Sequence, residues 1–563
     1  MRVIFGFLAT LGCMSAGFVC SPATAMTPEE FHACADTIIN SFAEFDPVWG
    51  TNAGIHDYDA RLADYSKDNV ERYVRYLKNT HRRLQSVTTD HWPLDDAIDH
   101  QLLVSNIIFQ LFQLETFPYW RKSPSVYTDQ CLNGIYFLAL RDFAPMNERL
   151  RSLIGRLIGI PAVMHNAEKN LIDPVLIFVE TSMEAVDDGV SMINDVSQAF
   201  IDSFPDSADD IAIARDNAAA ALRRFKSFCD ALKPKATVRY AIGAENLNML
   251  LSQVNFLDMG ADSLLRLGEN IFARADSEIK ELREQLPPSD TTARFPIPSI
   301  RKQDLLEYYK WEIGMMKDYT TQSGIVSIPD GFGECIPMET PAFLRGIIRG
   351  IAYQQPAPLD NFDTGFFYVR PLPDTLTAAQ KADYAAYIHR RGFRGSVVHE
   401  AYPGHHMQLL LAKRNKSRIR RIQENLILIE GWALYCEEMV YRQGLYGDDK
   451  RQWLGVLGGI RFRAARIILD INLQRGEFTP EAALAFMNEK LGENNYYYTS
   501  EIRRYCANPT QALSYLTGKS IIMEMRRRAM QKDSAAFDLK DFHDKLLSEG
   551  SIPPKFIAQK YGW

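Results

Sequence analysis

Along most of this chain, apolar residues recur at intervals of three and four, the spacing that lines one face of a helix. Stretches with this period run from Thr27 to about Phe42, Val70 to Leu84, Asp95 to Leu114 and Met146 to Ala167, then from Pro205 to Leu232, Ala261 to Leu286 and Arg301 to Thr320. A chain so patterned hides its apolar faces by packing helix on helix, and 563 residues with 46% hydrophobic content suffice for a large core. Asp46-Pro47 and Pro287-Pro288-Ser289 interrupt the pattern, but no repeat, low-complexity tract or Pro/Gly/Ser-rich linker divides it. The predicted object is mainly α: one large helical body of two lobes around a central cleft. Its N-terminal helical lobe spans about 26–240, and a second lobe over about 241–563 carries the histidine motif. Strand signals are few. Gly365 to Pro371 is a short aromatic run closed by proline, which suits a small β edge element or a buried loop anchored by its aromatics. A helical pattern returns from Thr377 to Arg390 and continues to about Glu549.

The N-terminus follows a different pattern. Arg2 precedes a largely apolar stretch from Val3 to Val19, and Ala23-Thr24-Ala25 has the small-x-small form of a cleavage site. Residues 1–25 therefore read as a secretory signal peptide; the alternative is a lipoprotein anchored at Cys13. No later stretch approaches the ~20 apolar residues that cross a bilayer, so the expected protein is exported, periplasmic or secreted, without a transmembrane segment. Loss of Arg2 takes the formal net charge from −7 to −8, which argues against nucleic acid as a partner. Cys34, Cys131, Cys229, Cys335, Cys436 and Cys506 remain, with no Cys-x-x-Cys spacing for a cysteine zinc site.

The segment Val398-His399-Glu400-Ala401-Tyr402-Pro403-Gly404-His405-His406 carries three of the chain's 11 histidines. In the His-Glu-x-x-His arrangement, residues i and i+4 share a helical face and one zinc, with the glutamate as base. Here Pro403 stands at i+4. In an unbroken helix His399 and His405 would differ by about 600° and His399 and His406 by ~10 Å of rise, so neither pair would reach one zinc. Pro403 removes the N–H that would bond the His399 carbonyl, and Gly404 permits almost any turn. Looping out Tyr402 and Pro403 restores His-Glu-Ala-Gly-His spacing with His405 as second ligand; looping out one residue more recruits His406. Glu430 follows four large aliphatic residues, 25 residues beyond His405. A carboxylate in so apolar a helix calls for a partner such as a metal. Glu437, two turns on, is the competing ligand or the group that orients a ligating histidine. Six basic residues between Lys413 and Arg421 read first as a solvated basic loop, with attraction of a substrate carboxylate as the alternative; Arg526-Arg527-Arg528 reads the same way.

The run from His399 to Gln408 resembles the signature of the bacterial family filed as domain of unknown function 885, grouped with the glutamate-liganded zinc peptidases, the gluzincins. The resemblance extends over nearly the whole mature chain. It takes in Asp46 to Gly54, Glu430 to Tyr435, Arg504-Tyr505, Pro509 to Tyr515 and Gly550 to Pro554. It implies a gluzincin-like helical fold, one Zn2+ held by His399, His405 and Glu430, and Glu400 as general base, with His406 as an adjacent substrate contact. The segment from Pro509 to Gly518 is similar to the tyrosine-bearing segment of related helical carboxypeptidases and oligopeptidases, which makes Tyr515 the candidate transition-state donor. Arg503, Arg504 and Tyr505 are candidates for oxyanion or substrate-carboxylate contacts, and Phe367 and Tyr368 for a substrate-binding edge strand. The expected activity is hydrolysis of a peptide by a zinc-activated water, without a covalent intermediate. The alternatives are a zinc hydrolase of a non-peptide amide or ester and a non-catalytic exported binding protein. No Gly-x-Ser-x-Gly elbow supports a serine hydrolase.

Overall fold

The computed structural model describes residues 26–286, 305–346, 348, 350–372, 376–381, 394–492 and 497–563. Helices make up 72% of it and strands 3%, so the sheet is a local insertion in a helical body. The signal segment with Cys13, and most of the helix expected over Thr377–Arg390, lie outside the described residues.

Helix boundaries follow local chemistry. The first helix, Pro28–Phe45, opens with a reciprocal cap: Thr27 Oγ1 accepts from the Glu30 amide at 3.3 Å and Glu30 Oε2 from the Thr27 amide at 3.0 Å. Asp46-Pro47 then serves two helices. Asp46 closes the first, and its carboxylate accepts from the Trp49 amide at 2.9 Å to start Pro47–Ala53, where proline occupies the first turn. The periodic stretches fold as Lys67–Gln85, Leu94–Leu111, Met146–Asn170, Ala208–Leu232, Ala261–Gln285 and Leu305–Ser323. Three further helices, Ser125–Leu140, Leu176–Glu184 and Val186–Ser203, carry no expectation from periodicity. In Ser125–Leu140 the cause is burial on most sides, from Tyr127 and Gln130 to Gly134 and Leu138, which leaves no polar stripe to set off an apolar one.

The sheet corrects an expectation. Strands β1 (Cys335–Glu339), β2 (Ile351–Gln354) and β3 (Gly365–Val369) lie in the order β1-β3-β2, with β3 parallel to β1 and antiparallel to β2. The aromatic run is therefore the central strand and not an edge. Pro371 falls beyond the strand's last residue and removes no ladder bond. Alternation then sends β3 side chains into two cores. Phe367 and Val369 join the core beneath the histidine motif, and Tyr368 joins that of the N-terminal helices.

A third core lies where Ala261–Gln285 packs on Lys450–Arg475. Cys131, Cys229, Cys436 and Cys506 are buried free thiols. Among the described residues no helix is long and apolar enough to cross a membrane.

Candidate metal centre

The histidine motif breaks its helix rather than bulging it. One helix, Gly395–Glu400, ends at the glutamate, and a second, His405–Lys413, begins at the histidine pair. The turn between them contains a cis Tyr402–Pro403 bond. A Cβ on Gly404 would lie 1.9 Å from the His399 carbonyl oxygen, so only glycine lets the second helix start directly against the end of the first. The Pro403 carbonyl accepts from Trp432 Nε1 at 2.8 Å, tying the turn to the helix Leu426–Arg442 that carries Glu430. That helix in turn crosses Gln511–Asp533 in backbone contact: a Cβ on Gly431 would meet Gly518 Cα at 2.5 Å. The crossing brings Glu430 beside Tyr515, one turn before Gly518.

His399, His405 and Glu430 converge, each offering a ligand atom within 4.8 Å of the others. Glu430 Oε2 lies 3.4 Å from His399 Nε2 and 3.3 Å from His405 Nε2. Donors held tetrahedrally at about 2.0–2.1 Å from one zinc stand ~3.4 Å apart, so these separations fit such an ion. Glu430 Oε2 is buried and has no hydrogen-bond partner, a costly state for a carboxylate unless a cation shares it. Burial opposes charge on Glu430, but the imidazoles of His399 and His405 beside it hold its carboxyl well below the usual range. Burial likewise opposes charge on His399, yet Glu430, Glu437 and Glu400 lift its pKa to about 9. Both effects describe a pocket of carboxylates that attracts positive charge.

Glu437 stands behind the cluster and not in it. Its Oε1 accepts from His399 Nδ1 at 3.0 Å, which turns Nε2 toward Glu430, and Arg463 Nη2 braces it at 3.5 Å. Glu400 Oε2 lies 4.0 Å from His405 Nε2, and burial raises its pKa. His406 faces away. Its Nδ1 meets the Tyr353 hydroxyl at 2.9 Å, and its Nε2 meets the Gly333 carbonyl and the Tyr402 hydroxyl, both at 3.1 Å. Burial pushes its pKa down to about 4. With both nitrogens engaged, His406 neither joins the cluster nor reaches the cavity, contrary to its expected substrate contact; it anchors Tyr353, which does line the cavity.

That cavity, about 690 Å³, opens onto His399, Glu400, His405 and Glu430. The Tyr515 ring lies parallel to that of His399 with centroids 6.1 Å apart, and its hydroxyl accepts from Gln511 Nε2 at 3.1 Å. Burial and the neighbouring Glu430 raise the phenol's pKa, so it keeps its proton. Arg504 lines the cavity, whereas Arg503 turns outward to pair with Glu184 and Tyr505 is buried behind the wall. Phe367 and Tyr368 are also absent from the lining. Phe367 packs against Tyr309, and the Tyr368 hydroxyl bonds that of Tyr136 at 2.7 Å. The strand that borders the site is β2, through Ile351, Ala352 and Tyr353.

Arg463, Arg466 and Glu501 line the cavity without having been expected there. The available signal was the spacing of Arg463 and Arg466, one turn apart in a helix otherwise rich in apolar residues. The basic run after the motif is solvated only in part. Lys413 pairs with Asp360 and Asp363, Arg418 with Asp36, and Arg420 with Asp95, Asp99 and Glu549, while Arg414 and Lys416 are exposed. Arg527 and Arg528 share Glu524 at the surface.

Residues 47–560 match the family described as bacterial protein of unknown function (DUF885), and the chain belongs to that family. No curated protein matches it significantly. Two solved structures share the fold. One is a candidate lipoprotein of unknown function from Shewanella oneidensis, with a TM-score of 0.77 and 23% identity over 96% of this chain and 100% of that one. The other is a candidate lipoprotein from Colwellia psychrerythraea, with a TM-score of 0.79 and 18% identity over 96% of this chain and 99% of that one.

Proposed function

We propose that this member of the family is an exported, zinc-dependent hydrolase of peptide bonds, with the ion held by His399, His405 and Glu430. The observation that carries the reading is the spacing of those three donors around a buried carboxylate oxygen with no other partner. The resemblance of the motif to the gluzincins supports it. The N-terminal signal pattern supports export, in agreement with two structural neighbours described as candidate lipoproteins. Two imidazoles and one carboxylate suit zinc, which in such a site polarises a carbonyl and activates water.

The chain's own groups supply the remaining roles. Glu400, beside His405 on the cavity wall, takes a proton from the attacking water and delivers it to the leaving amine. Tyr515 keeps its phenolic proton and donates a hydrogen bond to the carbonyl oxygen as charge grows there. Glu437 holds the His399 ring in one tautomer and orientation. A peptide is favoured over a compact amide by β2, an edge strand on the cavity to which an extended backbone can add.

Hydrolysis of a mixed peptide library, followed by mass spectrometry, tests the reading. Wild type should cleave, a chelator should stop it and added zinc should restore it, while Glu400→Gln should be inert yet zinc-loaded. Cleavage that survives both chelation and Glu400→Gln would refute it.

A further inference from the structure

A second buried charge cluster shares the cavity wall, and the roles above make no use of it. Glu501 Oε2 accepts from Arg466 Nη2 at 2.6 Å, from Arg504 Nη2 at 2.8 Å and from the Tyr505 hydroxyl at 2.6 Å. Despite burial, these contacts hold the Glu501 carboxyl far below its usual range and keep both arginines charged. Two guanidinium groups thus share one carboxylate, and the cluster carries one positive charge more than it neutralises. The nearby Asp470 pairs with neither arginine: its oxygens accept from the amides of Thr510 and Leu513 at 3.3 and 3.0 Å, and burial lifts its pKa to about 7. Arg463, one turn before Arg466, adds further positive charge to the same wall and leans on Glu437. An excess charge this deeply placed is costly unless an anion meets it, and the open side of the cluster is the cavity.

Tyr515 joins this cluster to the metal centre. Its ring centroid lies 4.7 Å from Arg466 Cζ and 6.1 Å from the His399 ring, a span that one to three extended residues cover at ~3.4 Å each. Arg504 Nη1 donates to Gln511 Oε1 at 2.6 Å, and Gln511 Nε2 donates to the Tyr515 hydroxyl at 3.1 Å, so an anion on the arginines acts on the candidate donor through one amide.

We propose that Arg466 and Arg504 form the subsite for the C-terminal carboxylate of a peptide, which makes the protein a carboxypeptidase releasing one to three residues. This rests on the peptidase reading above. Guanidinium forks match a carboxylate in shape as well as charge. In the reaction, water adds to the carbonyl carbon of a bond near the C-terminus and that C–N bond breaks. The proton taken up by Glu400 leaves on the released amine, and no redox partner is required.

The test is calorimetric binding to the full chain carrying Glu400→Gln, which holds ligand without turnover. The ligands are acetyl-Ala-Ala-Phe, its C-terminal amide, and acetyl-Ala-Ala-Asp amide, whose carboxylate sits on a side chain. The free acid should bind about 30-fold or more tightly than either amide, and adding Arg504→Gln should shrink that gap to about threefold or less. Equal affinity for the free acid and its amide overturns the subsite, and the comparison in the Glu400→Gln chain alone decides this if the added Arg504→Gln does not fold. Equal affinity for the Asp amide overturns the carboxypeptidase assignment in favour of acidic side chains. Selective binding of the free acid without hydrolysis by wild type sinks the peptidase reading and leaves the anion subsite standing. Hydrolysis without that selectivity does the reverse.

Discussion

Arg420 and Glu430 are both buried charges in the C-terminal half, and their surroundings differ in kind. Arg420 donates to Asp99 at 2.6 Å, to Glu549 at 2.5 Å and to Asp95 at 2.8 Å, and Lys560 and Tyr561 donate to Glu549 as well. That cluster is closed: each carboxylate has its cation, and together they tie the helix Leu94–Leu111 to the C-terminus. Around Glu430 the carboxylates and imidazoles converge on a point where Glu430 Oε2 has no hydrogen-bond partner among the described residues, beside a cavity. A closed cluster stabilises a fold and an incomplete one binds something, a distinction that mutation and metal can probe.

The largest expected effect falls on the open cluster. Glu400→Gln should lower kcat by about 10²–10⁴-fold, the usual range for loss of a general base, with zinc content and melting temperature little changed. The closed cluster should behave oppositely. Arg420→Met removes the guanidinium that three carboxylates share, leaving Asp99 without a cation, and should cost about 3–5 kcal/mol in denaturant unfolding, while the zinc content per folded chain stays the same. A uniform loss of metal in Arg420→Met would erase the distinction between the two clusters.

Tyr515→Phe should reduce kcat by about 10²–10³-fold with KM nearly constant, because the hydrogen bond is made mainly in the transition state. Zinc at 100 times its Kd should stabilise the wild type by about 2.7 kcal/mol in thermal unfolding and leave Glu430→Gln much less affected. The smallest effect concerns His56, held by Asp59 at 2.8 Å with Asp360 at 3.9 Å. Burial opposes its charge, but the two aspartates lift its pKa to about 9. Its contribution to stability is therefore complete below pH 6.5 and fades as pH rises through 9. The stability gap between wild type and His56→Gln should be wider at pH 6 than at pH 10; a constant gap would contradict the pairing.

The meeting of His399, His405 and Glu430 was legible because each depends on local chemistry. Pro403 and Gly404 must break the helix between the histidines, and Glu430 stands out as a carboxylate behind four aliphatic residues. The choice between His405 and His406 was not legible from the residues alone. His406 is held out of the cluster by Tyr353, Tyr402 and Gly333, two of which lie more than 50 residues away and reach the ring only through the fold. The helical character showed in periodicity wherever one face meets water, and failed in Ser125–Leu140, where none of that contrast exists. β3 was misplaced at the edge because proline sits just past its end, while its continuous apolar run fits a strand covered on both faces. The basic run after the motif looked solvated because its acidic partners, Asp36, Asp99, Asp360 and Glu549, are distant in sequence. For the same reason the pairing of Arg466 with Glu501, 35 residues on and in another helix, could not be read from the chain, although Arg504 stood out beside it.

The central claim is tested most directly by metal analysis of the purified full chain and three variants, by inductively coupled plasma mass spectrometry. Wild type and His406→Ala should each carry about one zinc per chain, and His405→Ala and Glu430→Gln almost none. A wild type without zinc after supplementation, or metal kept in His405→Ala and lost in His406→Ala, would contradict the account.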